Sequence, residues 1–174
     1  MNLILLPGNN WRNQAWIEQL KQAVEPDFEQ IWVQYYDNWK ARTALLNIDL
    51  ETDKLAKNSR SLGKYCILAK SAGTLLAMKA VKEGEIKPVK CIFVGTAIRW
   101  GQEQGWPAEK WAEGYSVPTL FIQKSEDPVM TFGELRFTLE KAGVKKSKLV
   151  ELPGRSHHYE DIMGLRFMVK DFVK

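Results

Sequence analysis

Six short apolar runs recur along this chain with room for a helix between most of them, and that alternation narrows the folds open to it. The runs are residues 3–6, 30–35, 65–69, 90–94, 119–123 and 148–152. Each has the length and make-up of a buried strand. The segments between them carry apolar residues at helical spacing. Residues 13–24 set Trp16, Ile17, Leu20 and Ala23/Val24 on one face, with Asn13 placed to cap the start. Residues 49–62 are polar and charged, with Leu50, Leu55 and Leu62 turned inward. The stretch from Thr74 to Val81 is rich in helix formers, with an apolar face at Leu75, Met78 and Ala77/Val81. Residues 131–142, ended by Gly143, carry Leu135, Phe137 and Leu139, and Thr131-x-x-Glu134 has the form of a capping box. Residues 160–173 space Ile162, Leu165, Val169 and Phe172 for a core face. Strands alternating with helices make an α/β fold, a mainly parallel sheet wrapped on both sides, as near-continuous apolar strands also require. Residues 36–48 and 95–118 lack a clear period. In such sheets, loops beyond the carboxyl ends of strands build the active site.

No repeat, linker or low-complexity stretch marks a boundary, so residues 1–174 read as one domain, long enough to bury a sheet core. Hydrophobic residues at 45% and charged residues at 26% are the balance of a soluble globular chain. The net charge of +4 comes from cations interspersed with acids, and Lys145-Lys146-Ser147-Lys148 reads as a solvated loop, so no nucleic-acid partner is expected. Gly63-Lys64 lacks the flanking residues of a phosphate loop. Cys66 and Cys91 fall inside strand runs and read as buried, inert thiols of a reducing compartment. The two histidines are adjacent, which offers no spaced metal-ligand set, and neither a metal nor another cofactor is expected. The first residues lack a charged n-region and no stretch has membrane-spanning length, so the expectation is a cytoplasmic protein with no membrane contact.

The chemistry starts at Ala69-Lys70-Ser71-Ala72-Gly73, between the third strand run and a helix. A serine on a sharp strand-to-helix turn, with small residues two positions either side, is a nucleophile elbow. The turn is tight, and bulk there would clash with the neighbouring strand or helix. Such a serine needs a base to take its proton and a third group to orient the base. Both follow in order. The run 119–123 opens into Ser125-Glu126-Asp127-Pro128, and the run 148–152 into Gly154-Arg155-Ser156-His157-His158. An acid, Asp127 or Glu126, and a base, His157 or His158, thus follow two further strands.

A tetrahedral intermediate needs two backbone donors for its oxyanion. The residue after the serine, Ala72, supplies one, and the loop Leu6-Pro7-Gly8-Asn9-Asn10 after the first strand supplies the other, with Asn9 the chosen donor. Candidate substrate contacts are Asn10, Lys70, Trp39, Trp100 and Trp106. The aromatics can line an apolar acyl pocket or pack loops on the sheet. Lys70 can attract an anionic substrate or stand as an exposed neighbour of the serine.

With these residues in view, the chain resembles the α/β-hydrolases, and within them the small serine hydrolases of the retinoblastoma-binding-protein-nine type. The resemblance runs over nearly the whole chain and rests on Pro7-Gly8-Asn9, Ser71-Ala72-Gly73, Ser125-Glu126-Asp127-Pro128 and the segment from Gly154 to His157. It implies Ser71 as nucleophile, Asp127 as orienting acid and His157 as base. It also implies a reduced sheet without the first two strands of larger relatives and without a large lid domain. Departures are Ala69 for glycine, Lys70 before the serine, and the second histidine, His158. The expected protein is a three-layer α/β sandwich with sheet order 2-1-3-4-5-6, hydrolysing a small ester, thioester or amide-like acyl substrate through an acyl-enzyme. The rival readings are a protein-interaction module that keeps the scaffold and binds a protein partner, and a peptidase or acyltransferase using the same triad.

Overall fold

Hydrogen-bonded strand pairs and the helices between them order this chain, and the computed structural model describes all of it, Met1 to Lys174. The elements are β1 (Asn2–Leu6), α1 (Asn13–Val24), a 3₁₀ turn (Glu25–Asp27), β2 (Ile31–Val33), α2 (Asp37–Ala41), α3 (Ile48–Ser59), β3 (Tyr65–Lys70) and α4 (Ala72–Lys82). Then follow β4 (Lys90–Val94), α5 (Ile98–Glu103), α6 (Ala108–Ala112), β5 (Thr119–Lys124), α7 (Phe132–Lys141), β6 (Ser147–Leu152) and α8 (Ile162–Val173). Every strand pairing is parallel, and the order across the sheet is β2-β1-β3-β4-β5-β6. This is the expected order.

The two-residue period of the strands splits the core into two layers. Leu3, Leu5, Cys66, Leu68, Ile92, Val94, Leu120 and Ile122 meet α1 through Ile17, Leu20 and Val24 and α8 through Leu165 and Val169. The alternate residues, Ile4, Leu6, Ile67, Ala69, Cys91, Phe93 and Phe121, meet the helices of the other face, with α4 the most deeply buried of them. Both cysteines are buried and free, and burial pushes their thiols up, to about 11 for Cys66 and about 12 for Cys91. No helix is long and apolar enough to cross a membrane.

Five strands agree with their sequence runs to within one residue. The exception is β2, which stops at Val33 instead of continuing to residue 35. There the edge strand gives way because Tyr36 turns into the core and donates its hydroxyl to the Pro7 carbonyl at 2.9 Å. Helix α3 spans Ile48–Ser59, displaced from the expected 49–62, with the Asn47 side chain capping it at Leu50 N–H. Leu50 lies on its outer face, 42% exposed. The capping box of α7 forms between Thr131 and Glu134, but Phe137 is 68% exposed. Asn13 is the first residue of α1 and not its cap. Helix α8 begins two residues late, at Ile162, behind an Asp161 cap.

The order places β1 between β2 and β3, so the chain leaves β1 in one direction across the sheet for β2 and in the other for β3 onward. That reversal opens a crevice at the carboxyl ends of β1 and β3, the place where open α/β sheets bind ligands.

Candidate active site

Ser71 sits on this crevice at the end of β3 with φ 53° and ψ −122°. It is one of two non-glycine residues with positive φ, the other being Arg42. Such a conformation costs about 1–3 kcal/mol and persists only where its surroundings enforce it. Ser71 N–H donates to the Val94 carbonyl at 3.0 Å, and the Ser71 carbonyl accepts from Thr74 N–H at 2.9 Å and from the Thr74 hydroxyl at 2.7 Å. Close packing completes the clamp. A Cβ on Gly73 would lie 2.4 Å from the Leu6 carbonyl oxygen and 2.7 Å from that of Pro7. The small residue two places after the serine is therefore dictated by backbone contact between α4 and the end of β1. Ala69, two places before, is fully buried, and its single methyl is accommodated.

Asp127 is fully buried in the loop after β5. Its two oxygens lie 2.9 and 2.8 Å from His157 Nδ1. Oδ1 also accepts from Val129 N–H at 2.9 Å, and Oδ2 from the Tyr159 hydroxyl at 2.8 Å. Burial raises the carboxyl pKa, but the hydrogen bond and charge of His157, with the Val129 and Tyr159 donors, outweigh it and hold Asp127 below the usual carboxylate range. An ionised carboxylate accepts only, so Nδ1 carries the proton and Nε2 is the lone-pair nitrogen. Nε2 is buried without a hydrogen-bond partner. Tyr159 is buried as well, and burial followed by the nearby Asp127 charge pushes its phenol far above its ordinary value, which keeps it a donor. Its oxygen in turn accepts from Lys124 N–H at 3.1 Å.

The sheet register brings this pair to the serine. Lys70 is paired with Val94, so Ser71 and Gly95 are the next residues of adjacent strands. Gly95 has φ +60°, and a Cβ there would lie 2.9 Å from His157 Cε1 and 2.8 Å from the Tyr159 ring. The imidazole rests on Gly95, one strand from Ser71. No hydrogen bond joins Nε2 to the Ser71 hydroxyl. Of the alternatives, Glu126 is exposed and pairs with Arg155 Nε at 3.0 Å. His158 offers its carbonyl to the Lys124 ammonium, and its ring makes no hydrogen bond with Asp127.

The loop after β1 is pinned through Asn9. Its carbonyl accepts from Trp39 Nε1 at 2.9 Å and Asn38 Nδ2 at 3.1 Å, its Oδ1 accepts from Leu46 N–H at 2.8 Å, and its Nδ2 donates to the Ala44 carbonyl at 2.6 Å. The backbone N–H groups of Asn9 and Ala72 donate to nothing within the chain. Ala72 is also the first residue of α4, where the helix dipole favours negative charge.

Asn10, Asn13, Trp16, Lys70 and His157 line a cleft of about 470 Å³ on the α1 side of the sheet. Lys70 is 5% exposed, so it is not the exposed neighbour admitted by the sequence. Its ammonium donates to Asn13 Oδ1 at 2.8 Å and lies 4.8 Å from the Trp16 ring centroid. Burial lowers its pKa to about 8, partly countered by the charges of Asp127 and Glu160. Trp39, Trp100 and Trp106 do not line this cleft. They pack against the opposite core layer, Trp100 and Trp106 edge to face at 5.4 Å. Trp39 also borders a separate groove of about 700 Å³ at the β2 edge. No group of three His, Cys, Asp or Glu side chains is placed to hold a metal ion.

Sequence reasoning missed Gly95, Tyr159 and Gln123. Gln123 is fully buried, accepts from Thr96 N–H at 2.7 Å and donates to the Met130 carbonyl, tying the loops after β4 and β5 together. A glycine directly after an apolar run was a usable signal for Gly95. Nothing local marked the other two.

The sequence matches no family model and no curated protein. Solved structures do match. An uncharacterised protein from Bacillus cereus aligns with 99% of this chain at TM-score 0.75 and 14% identity, and the chain spans 60% of that protein's length. An esterase of Pyrococcus furiosus aligns at TM-score 0.77 and 11% identity, over 99% of this chain and 81% of the esterase. Mouse α/β hydrolase domain-containing protein 10 aligns at TM-score 0.74 and 12% identity, over 99% of this chain and 89% of its own. The chain has the α/β-hydrolase fold.

Proposed function

We propose that this chain is a serine hydrolase acting on a small carboxylic ester, thioester or amide-like substrate. The observation that carries the reading is the pairing of buried Asp127 with half-buried His157, whose Nε2 lacks a partner and whose ring rests one strand from the strained Ser71 turn. In the proposed reaction Ser71 Oγ attacks the substrate carbonyl while Nε2 takes the hydroxyl proton. Asp127 holds the ring in the required tautomer and stabilises the imidazolium. The Ala72 and Asn9 N–H groups bind the oxyanion, each worth about 2.7–4 kcal/mol in comparable sites. The imidazolium then protonates the leaving group as the carbonyl reforms. Water, deprotonated by Nε2, attacks the acyl-enzyme and frees Ser71. The esterase among the structural neighbours is in keeping with this reading.

A fluorophosphonate probe, which phosphonylates activated serines with loss of fluoride, tests it. Labelling of the native chain that is lost in Ser71→Ala and in His157→Ala is the expected result. A folded native chain that resists the probe would sink the proposal and favour a scaffold that binds a protein partner instead.

A further inference from the structure

Lys70 is a buried ammonium without an anion. It holds one acceptor, Asn13 Oδ1, and one aromatic face, Trp16, and no Asp or Glu oxygen lies within 4.0 Å of it. Asp127 and Glu160 reach it only through longer-range attraction. Asp127 is already matched by three donors, and Glu160 faces the Lys124 ammonium at 4.0 Å from an exposed position. A desolvated charge is stable when a counter-charge and hydrogen bonds meet it, and an ammonium with donors to spare beside reactive groups points to an anion arriving from outside. The cleft supports that reading. Lys70 shares its wall with His157, while Asn10 and Arg12 add donors at the rim, and Glu160 is its sole acidic lining residue.

We propose that this cleft is a subsite for a carboxylate carried by the acyl substrate, with Lys70 as its counter-charge. The reading rests on Ser71 as the nucleophile and narrows the substrate to half-esters or half-thioesters of short dicarboxylic acids. Lys70 and Ser71 are consecutive residues, their Cα atoms about 3.8 Å apart. His157 lines the same cleft as Lys70, so an acid held there and a carbonyl presented to the imidazole can belong to one small molecule.

Two measurements on the intact chain test this. The first compares kcat/KM for 4-nitrophenyl hydrogen succinate and 4-nitrophenyl butyrate. A preference of at least tenfold for the succinate in the native chain, and a ratio at least tenfold smaller in Lys70→Met, are expected. The second needs no turnover: calorimetric titration with glutarate and with its dimethyl ester. Binding of glutarate but not the diester to the native chain, lost in Lys70→Met, is expected. Equal binding of acid and diester by the native chain overturns the subsite even if the variant does not fold, and so does an unchanged ratio in a folded variant. Glutarate binding through Lys70 in a chain that fluorophosphonate does not label would retain the subsite and remove the hydrolase.

Discussion

A buried carboxylate is tolerable when each oxygen has donors, and Asp127 has three: Val129 of its own loop, and His157 and Tyr159 of the loop after β6. The Tyr159 contribution is separable. Tyr159→Phe keeps the ring against Gly95 and removes the hydroxyl, leaving Oδ2 to His157 alone. A hydrogen bond to a charged group is worth about 1.5–3 kcal/mol, so kcat should fall roughly 10- to 100-fold. In the proposed reaction the Tyr159 hydroxyl acts through Asp127, and the phenylalanine ring keeps the cleft wall, so KM should hold steady. Steady-state kinetics on a neutral nitrophenyl ester read both quantities, and a rise in KM at constant kcat would refute the positioning role. Little of this was visible in the order of residues. Asp127 and Glu126 differ by one position, as do His157 and His158, and only the fold decides which member of each pair turns inward.

Elements were legible where their cause is local. Helix α7 announced itself through Thr131 and Glu134 because a capping box closes within one turn. Its orientation did not. Phe137 lies two residues from Leu135, about 200° around a helix, and so faces water while Leu135 and Leu139 face the core. Helices α2, α5 and α6 span five or six residues each, too few for a period to show. Glycines within helices give a sharper test of element packing. At Gly133 in α7 an alanine methyl would meet nothing within 4 Å, whereas at Gly73 in α4 it would stand 2.4 Å from the Leu6 carbonyl oxygen. Gly133→Ala should therefore raise stability by up to about 1 kcal/mol through helix propensity. Gly73→Ala should lower it by about 1–3 kcal/mol through overpacking at the elbow. Urea denaturation of both variants should give opposite signs, and two stabilising results would contradict the close approach.

At the scale of the whole molecule, the chief anomaly is a cation buried next to the proposed nucleophile. Lys70 has a pKa near 8 in the fold against an ordinary 10.5. Between those values the unfolded chain binds the extra proton, so the Lys70 contribution to stability rises with pH across that window. Below pH 8 its burial costs up to roughly 3 kcal/mol. Lys70→Met should thus be more stable than the native chain at pH 7, and the gap should narrow by pH 10. Denaturation at the two pH values reads the difference, and a constant gap would show that Lys70 keeps its ordinary affinity for protons. The layered architecture, by contrast, followed from the sequence by itself: apolar runs of strand length alternating with amphipathic helices have few ways to bury their surfaces other than a covered parallel sheet. The same pattern located the serine turn and the two loops behind it, since each is a break in a local period. Tertiary structure alone decided which side chains meet in those loops, that Lys70 is enclosed, and that Gly95 and Tyr159 support the imidazole. Those contacts join residues up to dozens of positions apart, and they depend on register and packing angle, which no local periodicity encodes.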